Sequence, residues 1–178
     1  MIHARALLLA AAALLPLGSG VAHAQNVYTE AAMQAFTSCP PVVAKGIDAL
    51  NRDKLTNAGF EQAPKAEAAK YARGGAQPVV YVRQVDGVPI RLIAYPDNNC
   101  WVGVYGEYRI PIRDGYYQSL DTGDLGYARD PFVPLDASPA RRAYIKRYTA
   151  FTIRITLETA EPTGEEPVVW IKTSKVKD

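Results

Sequence analysis

Histidine is the scarcest chemistry-bearing residue in this chain of 178 residues. Only His3 and His23 occur, and both lie in a segment that reads as an export leader. Met1 to Arg5 is a short basic start, residues 6–17 form an apolar Ala/Leu-rich run, and Ala22-His23-Ala24 is a small-x-small cleavage site. The run is too short to span a bilayer and has no charged stop-transfer flank. The expected mature protein, residues 25–178, then has no histidine at all. That excludes Ser-His-Asp and Cys-His hydrolysis, His-ligated zinc and copper, and His-based proton shuttling. Any catalysis would rest on carboxylates, Lys or Tyr.

Cysteine is scarce as well, with Cys39 and Cys100 the only pair. An exported chain meets an oxidising compartment, and the two are too far apart in sequence for a redox-active Cys-x-x-Cys. They are expected to form a structural disulfide. Charge of one sign is missing too. Twenty basic residues face 18 acidic ones, a net +2 that drops to +1 once Arg5 leaves with the leader. This excludes a strongly electrostatic nucleic-acid binder and a polybasic membrane-surface protein. Beyond the leader there is no long hydrophobic run, so no transmembrane segment is expected in the mature chain.

What is present reads as one α+β domain over residues 25–178. Thr29 is a plausible N-cap for a helix over 29–39, with Ala32, Phe36 and Cys39 on one face. Pro40-Pro41 is expected to end it and start a second helix with the stripe Val43, Ile47 and Leu50, stopped at Asn57-Ala58-Gly59. Phe60 packs back, and 64–72 forms a third, weaker helix. From Gln77 the period becomes strand-like. Residues 79–85, 88–95 and 100–105 are β-branched and aromatic runs, joined by the turn signals Asp86-Gly87 and Pro96-Asp97-Asn98-Asn99.

Residues 106–137 are rich in Gly, Tyr, Asp and Pro, and the stretch 114–134 reads as a long structured loop. Ser138-Pro139 is expected to open a helix reaching Arg147. Two strands follow, over 151–158 and 168–173. The expectation is thus a two-layer fold: N-terminal helices on an antiparallel sheet of about five strands, with one helix before the last two. The second helix would cover one sheet face. The other, carrying Arg91, Tyr95, Trp101, Tyr105, Thr152 and Arg154 in one or another register, would be partly open.

Five groups are candidate sites. The Tyr-rich loop brings Tyr105, Tyr108, Arg109, Tyr116, Tyr117, Tyr127 and Arg129 together with Arg113. Tyr and Arg dominate recognition surfaces, and aromatic rings stack on sugar faces. The triplet Asp121-Thr122-Gly123 resembles half of an aspartic-protease site, but no second copy exists, and it reads as a turn. Asp114, Asp121, Asp124 and Asp130 offer hard oxygen donors for calcium, in a spacing that matches no EF-hand or nonapeptide loop; no metal and no cofactor is expected. Glu107, within chain reach of Asp97 and Asp114, could serve glycoside cleavage, which needs two carboxylates and no histidine. Finally Arg141, Arg142, Lys146 and Arg147 form the only basic cluster, with Arg142 and Lys146 one turn apart on the expected helix. The chain is expected to be a periplasmic or secreted binding module of a Gram-negative envelope. It would hold a protein or glycan partner with the open face and the Tyr-rich loop. A carboxylate-dependent glycan hydrolase is the alternative.

Overall fold

The computed structural model describes residues 19–123, 125–132, 141–160 and 168–176, the side chains of 19–22 and Ala160 excepted. Residues 6–17 of the leader, Asp124 and Ser138-Pro139 therefore lie outside the described residues. Four helices, α1 (Ser19–Lys45), α2 (Arg52–Asn57), α3 (Lys65–Ala68) and α4 (Arg109–Asp121), accompany eight strands. These are β1 (Glu61–Gln62), β2 (Val79–Val85), β3 (Val88–Ala94), β4 (Asn99–Val104), β5 (Ala128–Arg129), β6 (Arg141–Arg147), β7 (Thr152–Ala160) and β8 (Val168–Val176). They make one antiparallel sheet in the order β1-β2-β3-β4-β8-β7-β6-β5.

The meander β2–β4 falls where the sequence placed it. Asp86 and Gly87 both take positive φ (50° and 78°), as a primed two-residue turn demands. Asn51 caps α2 by accepting from the Lys54 amide at 2.9 Å. Gly59 (φ 76°) closes it, and Phe60 is buried behind it.

Five expectations fail, each for a physical reason. Thr29 does not cap the first helix: α1 already begins at Ser19, and the Thr29 hydroxyl bonds back to the Gln25 carbonyl at 2.7 Å. Pro40-Pro41 does not end the first helix: α1 runs on to Lys45. Cys39, Val42 and Val43 around the prolines are wholly buried, and their packing outweighs the two missing amide bonds. The break comes instead at Gly46, with φ 92°. Because α1 is one long helix, it rather than a second helix covers the sheet. The expected loop holds α4, whose buried Ile112, Tyr116, Tyr117 and Leu120 recur at helical spacing. Pro111 sits in its first turn, where no partner for its nitrogen is needed. The expected helix before the last two strands is strand β6, zipped along β7 from Arg141↔Glu158 to Arg147↔Thr152. The helices are thus not gathered at the N-terminus, and eight strands replace about five.

The core fills the face under α1 and α4 with Ile90, Leu92, Val102, Val104, Ile153, Ile155, Leu157, Val169 and Ile171. The Cys39–Cys100 disulfide, with Cα atoms 5.3 Å apart, ties α1 to β4. It closes a loop across a sequence separation of 61, which by the chain-entropy relation stabilises the fold by about 4 kcal/mol. Among the described residues no helix is long and apolar enough to cross a membrane.

Candidate functional site

The pairing register decides which side chains share a face, because strand side chains alternate. Ile93↔Trp101, Trp101↔Lys172, Gly103↔Trp170 and Thr156↔Lys172 fix one row on the face away from α1. By the same alternation Arg91, Tyr95, Trp101, Tyr105, Thr152 and Arg154 all belong to this outer face. Both tryptophans of the chain lie here, half-buried, and neither is in the main core.

The segment around α3 crosses part of the outer face, over Val80, Ile93 and Tyr95. At its margin the aromatic rings run edge to face. Tyr95 lies 5.2 Å from Trp101, Trp101 5.9 Å from Trp170, Trp170 6.2 Å from Tyr105, and Tyr71 6.4 Å from Trp170, centroid to centroid. Gly103 makes room for the Trp170 ring. A Cβ there would meet it at 2.7 Å.

Three of these rings, Tyr95, Trp101 and Tyr105, are flanked by cations, and each cation by a carboxylate. The Arg73 guanidinium sits 4.0 Å over Tyr95 and 4.5 Å over Trp101, and pairs with Asp97 at 3.3 Å. Arg91 sits 4.7 Å over Tyr105 and pairs with Glu67 at 3.6 Å. Lys172 lies 4.6 Å over Trp101 and pairs with Glu158, which also holds Arg141 at 3.1 Å. Burial raises the Tyr105 hydroxyl pKa well above the ordinary phenol value, helped by Tyr71 and opposed by Arg91. Burial likewise raises Tyr95, with Arg73 working against it. Both hydroxyls stay protonated near neutral pH.

The residues of the expected Tyr-rich loop are placed differently. Tyr105 alone joins the outer face. Tyr108 stacks on Tyr28 at 4.6 Å, and Tyr116 packs edge-on to Phe36 while its hydroxyl donates to the Ala32 carbonyl at 3.2 Å. Tyr117 is buried beneath Arg142, whose guanidinium is 4.1 Å from its ring. Tyr127 is buried with the Lys146 amine 5.3 Å from its ring, and burial and then Tyr148 push its pKa up to about 12. Arg109 donates to the Gly106 carbonyl at 2.8 Å. These rings fasten α4 and its neighbours to the rest of the fold. They do not form a surface.

Asp121, the last residue of α4, is a structural joint. It accepts from Arg129 and the Tyr144 hydroxyl at 2.8 and 2.9 Å, and from Arg142 at 3.2 Å. Burial alone would raise its pKa; the hydrogen bonds from Arg129 and Tyr144 prevail and hold it below the usual carboxylate range. Burial, reinforced by the bond to Asp121, pushes Tyr144 up to about 12. Thr122 and Gly123 are the turn after the helix. The other calcium candidates are dispersed. Asp114 pairs with Arg113 at 2.8 Å and Asp130 with Arg154 at 2.5 Å. Among the described residues no three acidic, Cys or His side chains gather in a metal-ligand geometry.

Glu107 is exposed in the short turn between β4 and α4. Asp97 lies in the turn at the other end of β4, on the order of 20 Å away at strand rise. That exceeds the separation glycoside cleavage uses. The basic cluster is split by its strand geometry. Arg142 and Lys146 point to the helix side, and the Lys146 amine donates to the Leu125 carbonyl at 2.8 Å. Arg141 and Arg147 point to the outer side.

Sequence reasoning missed Tyr71, Arg73, Glu67, Glu158, Trp170 and Lys172. A signal existed for Trp170. It alternates with Val169 and Ile171 as Trp101 does with Cys100 and Val102, so both indoles point away from the aliphatic face. Comparison of the chain with known proteins finds no matching protein family, no matching characterised protein and no matching solved structure.

Proposed function

We propose that this protein is an exported binding module of the bacterial envelope, periplasmic or secreted, that holds a glycan on the outer face of its sheet. The carrying observation is the row Tyr95–Trp101–Trp170–Tyr105, flanked by charges already paired in Arg73–Asp97, Arg91–Glu67 and Lys172–Glu158. Indole rings offer flat apolar surface to the C–H faces of sugars. Paired guanidinium, ammonium and carboxylate groups offer fixed donors and acceptors to hydroxyls without net charge. The leader pattern and the Cys39–Cys100 disulfide support export.

A flat protein interface would need on the order of 800 Å² per partner. Here the two indoles are half-buried and the two tyrosine rings are buried in a narrow strip, and the most exposed large hydrophobics among the described residues, Phe132 and Tyr148, are elsewhere. A slender chain fits the strip better than a broad surface. Binding should quench or shift tryptophan fluorescence in titrations with oligosaccharides prepared from envelope and exopolysaccharide fractions. Trp170→Ala and Trp101→Ala should each weaken binding roughly tenfold, consistent with about 1.4 kcal/mol for one lost stacking ring. Tyr117→Phe should leave it unchanged, because Tyr117 is buried away from the face. No glycan bound, or equal binding by a Trp101→Ala/Trp170→Ala double variant, would overturn the reading. Glu107→Gln should leave binding intact; loss of measurable glycan turnover in that variant would instead support the hydrolase alternative.

A further inference from the structure

At the opposite end of the outer face, where β6 and β7 meet the end of β8, a cavity of about 170 Å³ opens between Asp130, Phe132, Ile145, Arg147, Thr152 and Arg154. It does not depend on the glycan strip. Trp170 stands opposite Glu158 on β7 and the cavity opposite Thr152, six residues or roughly 20 Å further along the strand.

Two guanidinium groups face this cavity, and among the described residues that line it only one carboxylate balances them. The Asp130 side chain is wholly buried and fully engaged: it accepts from Arg154 Nε at 2.5 Å and from the Phe132 amide at 3.0 Å. That contact fixes the Arg154 plane, and its terminal amino groups take no hydrogen-bond partner among the described residues. Arg147 has neither an ion pair nor a hydrogen bond among the described residues. It stands directly across from Thr152, while Arg154 stands across from Ile145. The two cations are therefore diagonal neighbours on one face, about 7–8 Å apart at the backbone. Thr152 shares their face, directly across from Arg147 and two residues from Arg154 on the same strand. Ile145 and Phe132 supply an apolar wall, and Phe132 is 81% exposed, more than any other large hydrophobic described.

We propose that this cavity binds a carboxylate carrying an apolar tail, a hydrophobic monocarboxylic acid. The carboxylate would sit between Arg147 and the free edge of Arg154, within reach of the Thr152 hydroxyl, and the tail would cover Phe132 and Ile145. The excess of one cation selects a single negative charge, and the fork geometry of guanidinium suits a carboxylate. The exposed ring selects against a bare inorganic anion.

The test is a titration of the oxidised protein with 3-phenylpropionate, followed by amide chemical shifts, beside 3-phenylpropanamide and inorganic phosphate. The carboxylate should shift β6 and β7 amides and bind at least tenfold tighter than the amide or phosphate. Arg147→Gln, exposed and without partners, should keep the native melting curve and lose at least tenfold in affinity. Trp170→Ala should leave the affinity unchanged, which separates this site from the glycan strip. Equal binding of acid and amide, phosphate binding as tight as the acid, or an Arg147→Gln variant that binds normally would each overturn the proposal.

Discussion

On β4, Val102 and Val104 are fully buried beneath α1, while Trp101, one residue away, emerges half-buried on the other side among Arg73 and Lys172. The same contrast repeats on β8 between Ile171 and Trp170. Under the helices, the buried Tyr28 hydroxyl is satisfied twice over. The Tyr28 hydroxyl donates to the Pro89 carbonyl at 2.7 Å and accepts the Tyr105 amide at 2.9 Å. Outside, polar atoms are paired with each other at the rim of an aromatic strip, within reach of solvent. The lesson is that aromatic content alone does not mark a surface for recognition. The helix-covered tyrosines are buried and hold elements together, whereas the outer indoles stay half-buried at the margin of a smaller cluster.

If that division is right, substitutions on the two faces should separate stability from binding. The largest stability effect should come from Cys39→Ala/Cys100→Ala, which removes the brace between α1 and β4 and should cost about 4 kcal/mol in urea unfolding. Tyr28→Phe should cost about 1–3 kcal/mol, because it strips the partner from a buried amide and a buried carbonyl. Neither should alter glycan affinity in protein that remains folded.

Asp121→Asn should cost about 1 kcal/mol at neutral pH, since its ion pairs are more than a third exposed and screened. The folded-state pKa lies below the unfolded one, so this stabilisation is present above about pH 4 and is lost as pH falls through the folded value. Wild type and variant should therefore converge in acid, as melting curves at several pH values would show. Gly103→Ala should cost about 1 kcal/mol, because the added Cβ meets the Trp170 ring at 2.7 Å and that ring must shift. It should displace the Trp170 ring, shift its fluorescence and weaken glycan binding several-fold. A large stability loss with unchanged binding would erase the distinction between the faces.

Strand alternation and turn chemistry made the meander legible. Asp86-Gly87 could hardly be anything but a primed turn, and the runs on either side alternate cleanly. The helix α4 escaped because its apolar stripe is made of tyrosines, interrupted by Pro111 and Gly115, and a polar-looking stripe hides its period. Strand β6 escaped because Arg142 and Lys146, four apart, share a face in a helix and in a strand alike. Only the partner strand decides between them. The outer face could be named in outline from Trp101 and its neighbours. Its completion needed register, which brings Trp170 and Lys172 from the end of the chain beside β4.

That last pairing sets the order in which the molecule can be assembled. β8 is the last in sequence of the described strands and lies in the middle of the sheet, between β4 and β7. Until it is delivered, β1–β4 and β5–β7 are two half-sheets with raw inner edges, each open to pairing with the wrong neighbour. A chain emerging from its N-terminus must keep both edges apart until β8 has arrived, which favours slow, late commitment to the native topology. The two indoles of the outer strip come from β4 and β8, so the strip exists only once folding is complete. A half-made molecule lacks the strip altogether.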